Sequence, residues 1–359
     1  MDIAISSGKG GTGKTFIATN LAKVFAEKHD QIRYLDCDVE EPNGHLFLKP
    51  VISREEDVTL IAPVEADRDK CISCGRCAEV CKYNAIAVVN KQVLIFKELC
   101  HVCGGCKIVC PVDAIIEKER KIGIMKEGLS GRIGVHYALL ETAEGGMSPR
   151  LVKKVKERGE GGIHPVRNSQ GKSGEIVNNE YAGVAQISNG INILDSSPGT
   201  SCPVVETVKD VDLCVLVTDP TPFGINDLKL SVDMAREVGQ EPVIVVNRAE
   251  YKDTALKDYC SKEQLDIIGE IPDERRIAES YSRGEMAVDK FLEIKKLFEV
   301  LADKILSLAR GEKKIPKSVK REALSGVKVP EKAKKYGTPG AKKPRELVVI
   351  SGKGGTGKT

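Results

Sequence analysis

The chain has 359 residues, of which 41% are hydrophobic, and a formal net charge of +3. Residues 311–345 carry 12 basic and 3 acidic residues, a surplus of nine that leaves −6 for the remainder. The net charge therefore gives no case for a face that binds nucleic acid. No apolar run approaches the roughly 18–20 residues of a membrane-spanning helix. The first residues form a strand pattern rather than a signal peptide, so a cytoplasmic protein is expected.

The first elements predict a strand, a glycine-rich loop, a helix and a second strand. The apolar run Ile3–Ile5 leads into the loop, and a helical pattern continues to about Glu27. The strand Ile32–Leu35 then ends at Asp36. This order is typical of the start of a parallel α/β sheet.

The pattern changes after the second strand. Residues 45–66 predict short irregular strands, and a cysteine-rich module occupies about 67–118. Residues 159–190 are rich in Gly, Ser and Asn, which predicts a mobile surface insertion. Strand patterns follow the module at Lys121–Met125, Ile133–Leu140, Ile191–Leu194, Leu213–Val217, Val243–Val246 and Ile267–Ile268. Helical patterns lie at 148–158, 224–238, 253–263, 273–283 and 289–309.

These elements predict an α/β fold with a mostly parallel, doubly wound sheet and a small inserted α+β domain. The sheet domain would comprise residues 1–66 and 119–310. The last helix is amphipathic, and we expect it to cover one face of the sheet, because such sheets need both faces covered.

The first loop matches the P-loop spacing G-x4-G-K-T. Backbone N–H groups of such a loop surround phosphate oxygens, and the following helix adds its positive N-terminal end. Lys14 is expected to reach the β- and γ-phosphates of ATP, and Thr15 to ligate Mg²⁺. The flanking strand and helix argue against a chance glycine-rich turn. The predicted phosphate loop consists of Gly8, Gly10, Gly11, Thr12, Gly13, Lys14 and Thr15.

With Lys9 included, the sequence GKGGTGKT resembles the deviant Walker A loop of the MinD, ParA, Mrp and nitrogenase iron protein family. The resemblance extends over most of residues 1–310 apart from the insertions. It implies a P-loop ATPase that dimerises, with Lys9 reaching the nucleotide of the partner. It also implies that the loop beginning at Asp36 and Asp38, at the end of the second strand, is the first switch, in which Asp38 orients the attacking water and Asp36 supports Mg²⁺.

Two later strand ends extend the resemblance. Asp195 and Gly199 match the DxxPG second switch of the family, which implies that Asp195 holds a Mg²⁺-bound water. The Gly199 N–H would then sense the γ-phosphate. Asn247 ends a later strand where the family reads the adenine edge, and an ordinary strand-end asparagine is the alternative. Open α/β sheets bind ligands at these strand ends.

Eight of the twelve cysteines form two C-x2-C-x2-C-x3-C runs, and each cysteine recurs 29 positions later. Such clustering in a reducing compartment indicates metal rather than disulfides. The duplicated runs are typical of a bacterial ferredoxin with two [4Fe-4S] clusters, in which the fourth cysteine of each run ligates the other cluster. Zinc is the alternative, since four thiolates also suit Zn²⁺. One predicted ligand set is Cys71, Cys74, Cys77 and Cys110, and the other is Cys100, Cys103, Cys106 and Cys81.

The other four cysteines are scattered along the chain. Cys202 follows the second switch, where it is either a ligand at a dimer axis or a small buried hydrophobe. Cys37, Cys214 and Cys260 are expected to be core thiols.

The combination resembles MinD-superfamily ATPases with a ferredoxin domain inserted after strand two. It implies ATP hydrolysis coupled to electron transfer through two [4Fe-4S] clusters, with an unidentified redox or metalloprotein partner. One alternative is a cluster or metal carrier of the Mrp kind. Another is a MinD- or ParA-like positioning ATPase with structural clusters.

The last residues repeat the first motif. Residues 345–359 restate Ile3–Thr15 almost residue for residue, after a Lys/Pro/Gly-rich segment at 311–344. We expect a truncated second P-loop module joined by a basic linker, and a complete module of this kind could serve as the dimer partner.

Overall fold

The computed structural model describes residues 1–141, 146–160, 190–249 and 254–311. The predicted insertion at 159–190, the basic linker at 311–344 and the repeated P-loop at 345–359 lie wholly or almost wholly outside these ranges. In the part of the chain that is described, no helix has both the length and the apolar character to cross a bilayer.

The strands of the described residues form a nine-stranded sheet and a separate two-stranded hairpin. Seven strands of the large sheet run parallel: β1 Asp2–Ser6, β2 Ile32–Cys37, β7 Ile133–Leu140, β8 Ile191–Ser196, β9 Leu213–Thr218, β10 Val243–Ala249 and β11 Ile267–Pro272. Two antiparallel strands complete one edge: β3 Val51–Ala66 and β6 Ile115–Ser130. The order across the sheet is β11-β10-β9-β1-β8-β2-β7-β6-β3.

Helices cover both faces of this sheet. Those of the sheet domain are α1 Lys14–Lys28, α2 Gly44–Leu48, α5 Ser148–Glu160, α6 Cys202–Val208, α7 Pro222–Glu237, α8 Thr254–Lys262, α9 Arg275–Ser282, α10 Ala287–Lys290 and α11 Leu292–Ala309. Alternate residues of β1 enter two different apolar clusters: Ile3 packs with α1 and α11, and Ala4 packs with α5, α6 and α7. The predicted mostly parallel α/β sheet is therefore confirmed, as is the covering role of the last helix.

The edge of the sheet differs from the sequence-based expectation. Residues 45–66 contain α2 and the 16-residue strand β3, not short irregular strands. β3 pairs with β6 from Val51↔Leu129 to Ala66↔Ile115. As an edge strand it buries few residues, chiefly Val58 and Ala62, so a continuous apolar alternation is absent from its sequence.

The cysteine module lies between β3 and β6. It contains the helices α3 Arg76–Val80 and α4 Gly105–Ile108 and the hairpin of β4 Ile86–Val89 with β5 Gln92–Ile95. Positive φ angles recur at a spacing of 29, at Ser73 and Val102, Gly75 and Gly104, and Asn84 and Asp113. The duplication seen in the cysteine spacing is thus present in the backbone as well.

Candidate functional site

The predicted phosphate loop joins β1 to α1 in a conformation that requires glycine. Gly13 caps α1 with a φ of 96°, where a Cβ would lie 2.3 Å from Asn247 Nδ2. The same Nδ2 donates a hydrogen bond to the Thr12 carbonyl at 2.8 Å. At the start of the loop, a Cβ on Gly8 would lie 2.2 Å from the Asp227 carbonyl. Neighbouring elements therefore contact this loop at both ends.

Three carboxylates surround the Lys14 side chain. Asp36 and Asp195 lie in register on the adjacent parallel strands β2 and β8, and Asp38 follows directly after β2. Burial lowers the pKa of the Lys14 ammonium, and the negative charges of Asp195, Asp38 and Asp36 partly offset that effect. A cation is thus held among acids at the carboxyl ends of the strands, where open α/β sheets bind ligands.

Asp195 is fully buried, and its two carboxylate oxygens differ in their hydrogen bonds. Tyr34 donates its hydroxyl to Asp195 Oδ2 at 2.7 Å, whereas Oδ1 is buried without a hydrogen-bond partner among the described residues. Burial raises the pKa of Asp195, and the charge of Lys14 opposes that rise. An unpartnered carboxylate oxygen is a suitable acceptor for a Mg²⁺-bound water, so this side chain fits the ion expected there.

Asp36 holds the loop that follows β2. Its Oδ1 accepts the Asp38 amide at 3.2 Å, and its Oδ2 accepts the amides of Asn43 and Gly44 at 3.1 and 2.9 Å. Burial raises the pKa of Asp36 well above its usual value, and the nearby Asp195 adds to the rise. In this structure Asp36 therefore shapes the first-switch loop.

Of these three carboxylates, Asp38 is partly exposed, whereas Asp36 and Asp195 are buried. The Ser197 hydroxyl donates to its Oδ1 at 3.2 Å, which joins the first-switch loop to the segment after β8. Burial is the largest cause that raises the pKa of Asp38, and the negative charge of Asp195 is the second; together they raise it to about 6. This carboxyl can therefore change its protonation state near physiological pH.

Lys9 is paired within its own chain. Its Nζ lies 3.0 Å from Asp219 Oδ2 and 3.4 Å from the Thr221 hydroxyl oxygen. Burial would raise the pKa of Asp219, but hydrogen bonds from Thr221 and Lys9 hold it below its usual value. In the second-switch segment, the Gly199 N–H donates to the Ser7 carbonyl at 2.9 Å. Both groups would have to leave these partners to reach a nucleotide as the resemblance implies.

One of the two predicted cysteine sets meets in a single cavity. This cavity, of about 20 Å³, is lined by residues that include Cys71, Cys74, Cys77 and Cys110. Backbone amides donate to sulfur at duplicated positions: Ala114 to Cys110 Sγ at 3.2 Å, and Ala85 to Cys81 Sγ at 3.3 Å. Such N–H···S contacts suit thiolate ligands. In the described residues, no group of three or more His, Cys, Asp or Glu side chains is arranged to hold a metal ion.

The second set occupies the duplicated positions of the module. Its members Cys100 and Cys106 are buried, Cys81 is half-buried and Cys103 is exposed. Burial raises the pKa of the Cys106 thiol to about 11.

The remaining cysteines divide as follows. Cys202 is exposed at the start of α6, so the expectation of a small buried hydrophobe is wrong for this residue. Its position directly after a loop explains the exposure. Cys37, Cys214 and Cys260 are buried, which confirms them as core thiols.

Two side chains of this site were not identified from the sequence. Tyr34 lies in the middle of β2, and its position two residues before Asp36 on the same face of the strand was the available signal. Asp219 follows a strand 210 residues after Lys9, and nothing in the sequence indicates the ion pair between the two.

A parallel sheet with a glycine loop between its first strand and helix, and carboxylates at adjacent strand ends, defines a P-loop nucleotide-binding protein. Residues 3–288 match the CobQ/CobB/MinD/ParA nucleotide binding domain family. The chain belongs to this family.

The chain is also similar to known proteins and to solved structures. The uncharacterized protein MJ0578 of Methanocaldococcus jannaschii is 34% identical over 248 residues, which cover 69% of this chain and 78% of the relative. The uncharacterized protein MJ0579 of the same organism is 27% identical, with 85% and 98% covered. The septum site-determining protein MinD of Pyrococcus horikoshii, complexed with Mg-ADP, is 17% identical with a TM-score of 0.47, and 87% of this chain and 98% of that chain are covered.

Proposed function

We propose that this protein binds and hydrolyses ATP and that its nucleotide state controls electron transfer through two [4Fe-4S] clusters. One observation carries the proposal: the acid-lined phosphate loop and a cavity lined by four cysteines are built on one sheet. Asp36, one residue before the end of β2, lies beside the loop, and β3 and β6 of the same sheet lead directly into the cysteine module.

In the ATPase reaction, water attacks the γ-phosphorus of ATP and the bond to ADP breaks. Lys14 binds the β- and γ-phosphates, and Asp38 accepts a hydrogen bond from the attacking water. Thr15 and Asp195 would hold a Mg²⁺ ion or its water, which would supply positive charge beside the phosphate oxygens. Lys9 exchanges Asp219 for the nucleotide of a second ATPase domain, either another copy of this chain or a tandem module.

The cysteine module supplies the redox part of the proposal. Cys71, Cys74, Cys77 and Cys110 would hold one cluster, and the duplicated set Cys100, Cys103, Cys106 and Cys81 would hold the other. Each cluster would supply a one-electron carrier whose potential depends on hydrogen bonds to sulfur and on exposure. The amides of Ala85 and Ala114 give such bonds to the two crossing cysteines, Cys81 and Cys110.

A second candidate function is the delivery of clusters or metal to another protein. The exposed thiol of Cys202, close to the second switch, favours it. In that case Cys202→Ser would prevent transfer of iron to an apo-acceptor protein, and the eight module cysteines would lose iron during turnover. Electron transfer predicts clusters that stay bound and no effect of Cys202→Ser on their retention.

The proposal is tested by metal content and hydrolysis together. Anaerobically purified protein should contain about eight iron and eight acid-labile sulfide per chain, as two cubanes require. Cys77→Ala and Cys106→Ala should each lower the iron content. Lys14→Ala should abolish phosphate release and leave the iron content unchanged. Stoichiometric zinc with little iron would rule out the cluster part, and absent hydrolysis would rule out the ATPase part.

A further inference from the structure

The two cysteine runs have similar backbone conformations, but equivalent residues differ in what surrounds them. Ile72 of the first run is 62% exposed, whereas its equivalent His101 is half-buried. Ser73 is half-buried, whereas its equivalent Val102 is only 8% exposed and belongs to a cluster of the sheet domain. The second run therefore packs against the ATPase domain through Cys100 and Val102, whereas the first run does so only through its last cysteine, Cys81, a predicted ligand of the second cluster.

Val102 adopts a backbone conformation that its side chain disfavours. Its φ is 51°, in the left-handed region where a β-branched residue is an outlier. The equivalent Ser73 has a φ of 54° with a smaller side chain. Strain of this kind persists only where the surrounding packing fixes it. The packing in question is the apolar cluster that also contains Cys100, Val39 and Met147.

Val39 belongs to the first-switch loop, between Asp38 and Glu40. It is fully buried, and its carbonyl accepts the Leu140 amide at 2.8 Å. The Ser148 hydroxyl donates a hydrogen bond of 2.7 Å to Oε1 of the neighbouring Glu40. The loop that carries the water-orienting candidate Asp38 is thus joined to the first turn of α5.

The start of α5 is in turn in contact with the second cysteine run. The His101 ring lies directly against Gly146, where a Cβ would come within 2.1 Å of His101 Nδ1. The same ring stacks on Tyr83 at 3.5 Å between ring centroids. A displacement of Gly146 toward the ring would therefore push on His101, which lies between Cys100 and Cys103 in the sequence.

We propose that nucleotide state is transmitted to the second cysteine run, residues 97–106, and not to the first, residues 68–77. The contacts that carry it are the Glu40–Ser148 hydrogen bond and the packing of His101 on Gly146. This inference rests on the proposed function, and it adds which cluster responds. An attacking water held at the γ-phosphate would donate a hydrogen bond to Asp38 and so shift its loop, including Glu40; this requires only that ATP and ADP favour different positions of the loop.

The test is hydrogen–deuterium exchange of the anaerobic, cluster-loaded protein with Mg-ADP or with a non-hydrolysable Mg-ATP analogue. Exchange protection of peptides from 97–106 should differ between the two nucleotides by about fivefold, the lower end of typical allosteric coupling. Peptides from 68–77 should not differ. Ser148→Ala should remove the difference while nucleotide binding persists.

The internal duplication supplies a matched control. Ser73→Ala also removes one serine hydroxyl, which donates to the Lys91 carbonyl at 2.8 Å in the first run, and it should leave the response of 97–106 intact. Val102→Ser gives the second run the residue of the first and should weaken the response. Peptides of β1 and β8 report whether each variant is folded.

Equal responses in both runs would overturn the inference, because β3 and β6 would then transmit the change to the whole module. A bound nucleotide with no response in either run would also overturn it, yet leave ATP binding and hydrolysis standing. Failure to bind nucleotide at all would instead refute the proposed function, and the inference with it.

Discussion

Asn247 offers a direct choice between two roles. As a base-reading residue it would bind adenine, whereas in the structure its Nδ2 donates to the Thr12 carbonyl at 2.8 Å. Asn247 is 8% exposed and Thr12 only 2%, so water cannot easily replace the lost donor in Asn247→Ala. An unpaired buried carbonyl costs about 2 kcal/mol, within the usual range for such groups. We therefore expect Tm to fall by about 4–8 °C.

The assay compares the affinity of the variant for Mg-ATP and for inorganic triphosphate, which has no base. If Asn247 supports the loop, Asn247→Ala should weaken both by a similar factor, about tenfold for a loss of about 1.4 kcal/mol. Asn192→Ala is the matched control, because Asn192 is also a buried strand asparagine that donates to Asp2 Oδ1, at 2.7 Å. It should lower Tm without changing either affinity. Lost ATP affinity with unchanged triphosphate affinity and Tm would refute the loop-support role.

Three further predictions concern the phosphate site. Lys14→Ala should abolish tight ATP binding, whereas Lys9→Ala should retain binding but lower hydrolysis and nucleotide-dependent dimerisation. Wild-type hydrolysis by Lys9→Ala in a phosphate-release assay would contradict the role of Lys9. Gly13→Ala should lose ATP affinity in calorimetry, because its φ of 96° and the contact with Asn247 exclude a Cβ, and wild-type affinity would contradict this. The pKa of Asp38 is about 6 in the nucleotide-free protein, so kcat/KM for hydrolysis should rise as pH increases through about 6. A profile that is flat from about pH 5 to 8 would contradict that reason.

The raised pKa of Asp38 also affects stability. Between its ordinary value of 3.8 and about 6, the folded state keeps this proton while the unfolded state releases it. The free energy of unfolding contributed by this group therefore falls as pH rises through that window. Asp38→Asn should reduce this dependence, to which the raised pKa values of Asp36 and Asp195 add with the same sign. An unchanged slope in urea titrations at several pH values would show that Asp38 does not contribute.

The sequence was most informative where chemistry constrains spacing. Backbone that surrounds a phosphate needs glycine at Gly11 and Gly13, and both have positive φ angles. A cluster ligated by a crossing cysteine needs fixed intervals, and Cys110 indeed lines the cavity of Cys71. Local patterns of this kind can be identified without knowledge of the remote parts of the chain.

The contacts between distant segments could not be predicted in this way. β3 was missed because an edge strand that buries only one row of residues shows little apolar alternation. The ion pair of Lys9 with Asp219 joins residues 210 positions apart, and the contact of His101 with Gly146 joins two loops. Such pairs depend on the order of strands in the sheet, which periodicity alone does not determine.

The most direct test of the central claim is electron paramagnetic resonance of the anaerobically reduced protein, recorded with and without Mg-ATP. If ATP controls the redox module, reduced [4Fe-4S] clusters should give signals whose shape changes when Mg-ATP binds, or the reduction potential of the clusters should change. In Lys14→Ala, which keeps its cysteines but not its ATP site, the same signals should be present and should not respond. Cluster signals that are identical with and without bound nucleotide in the unaltered protein would contradict the claim that ATP controls this redox module.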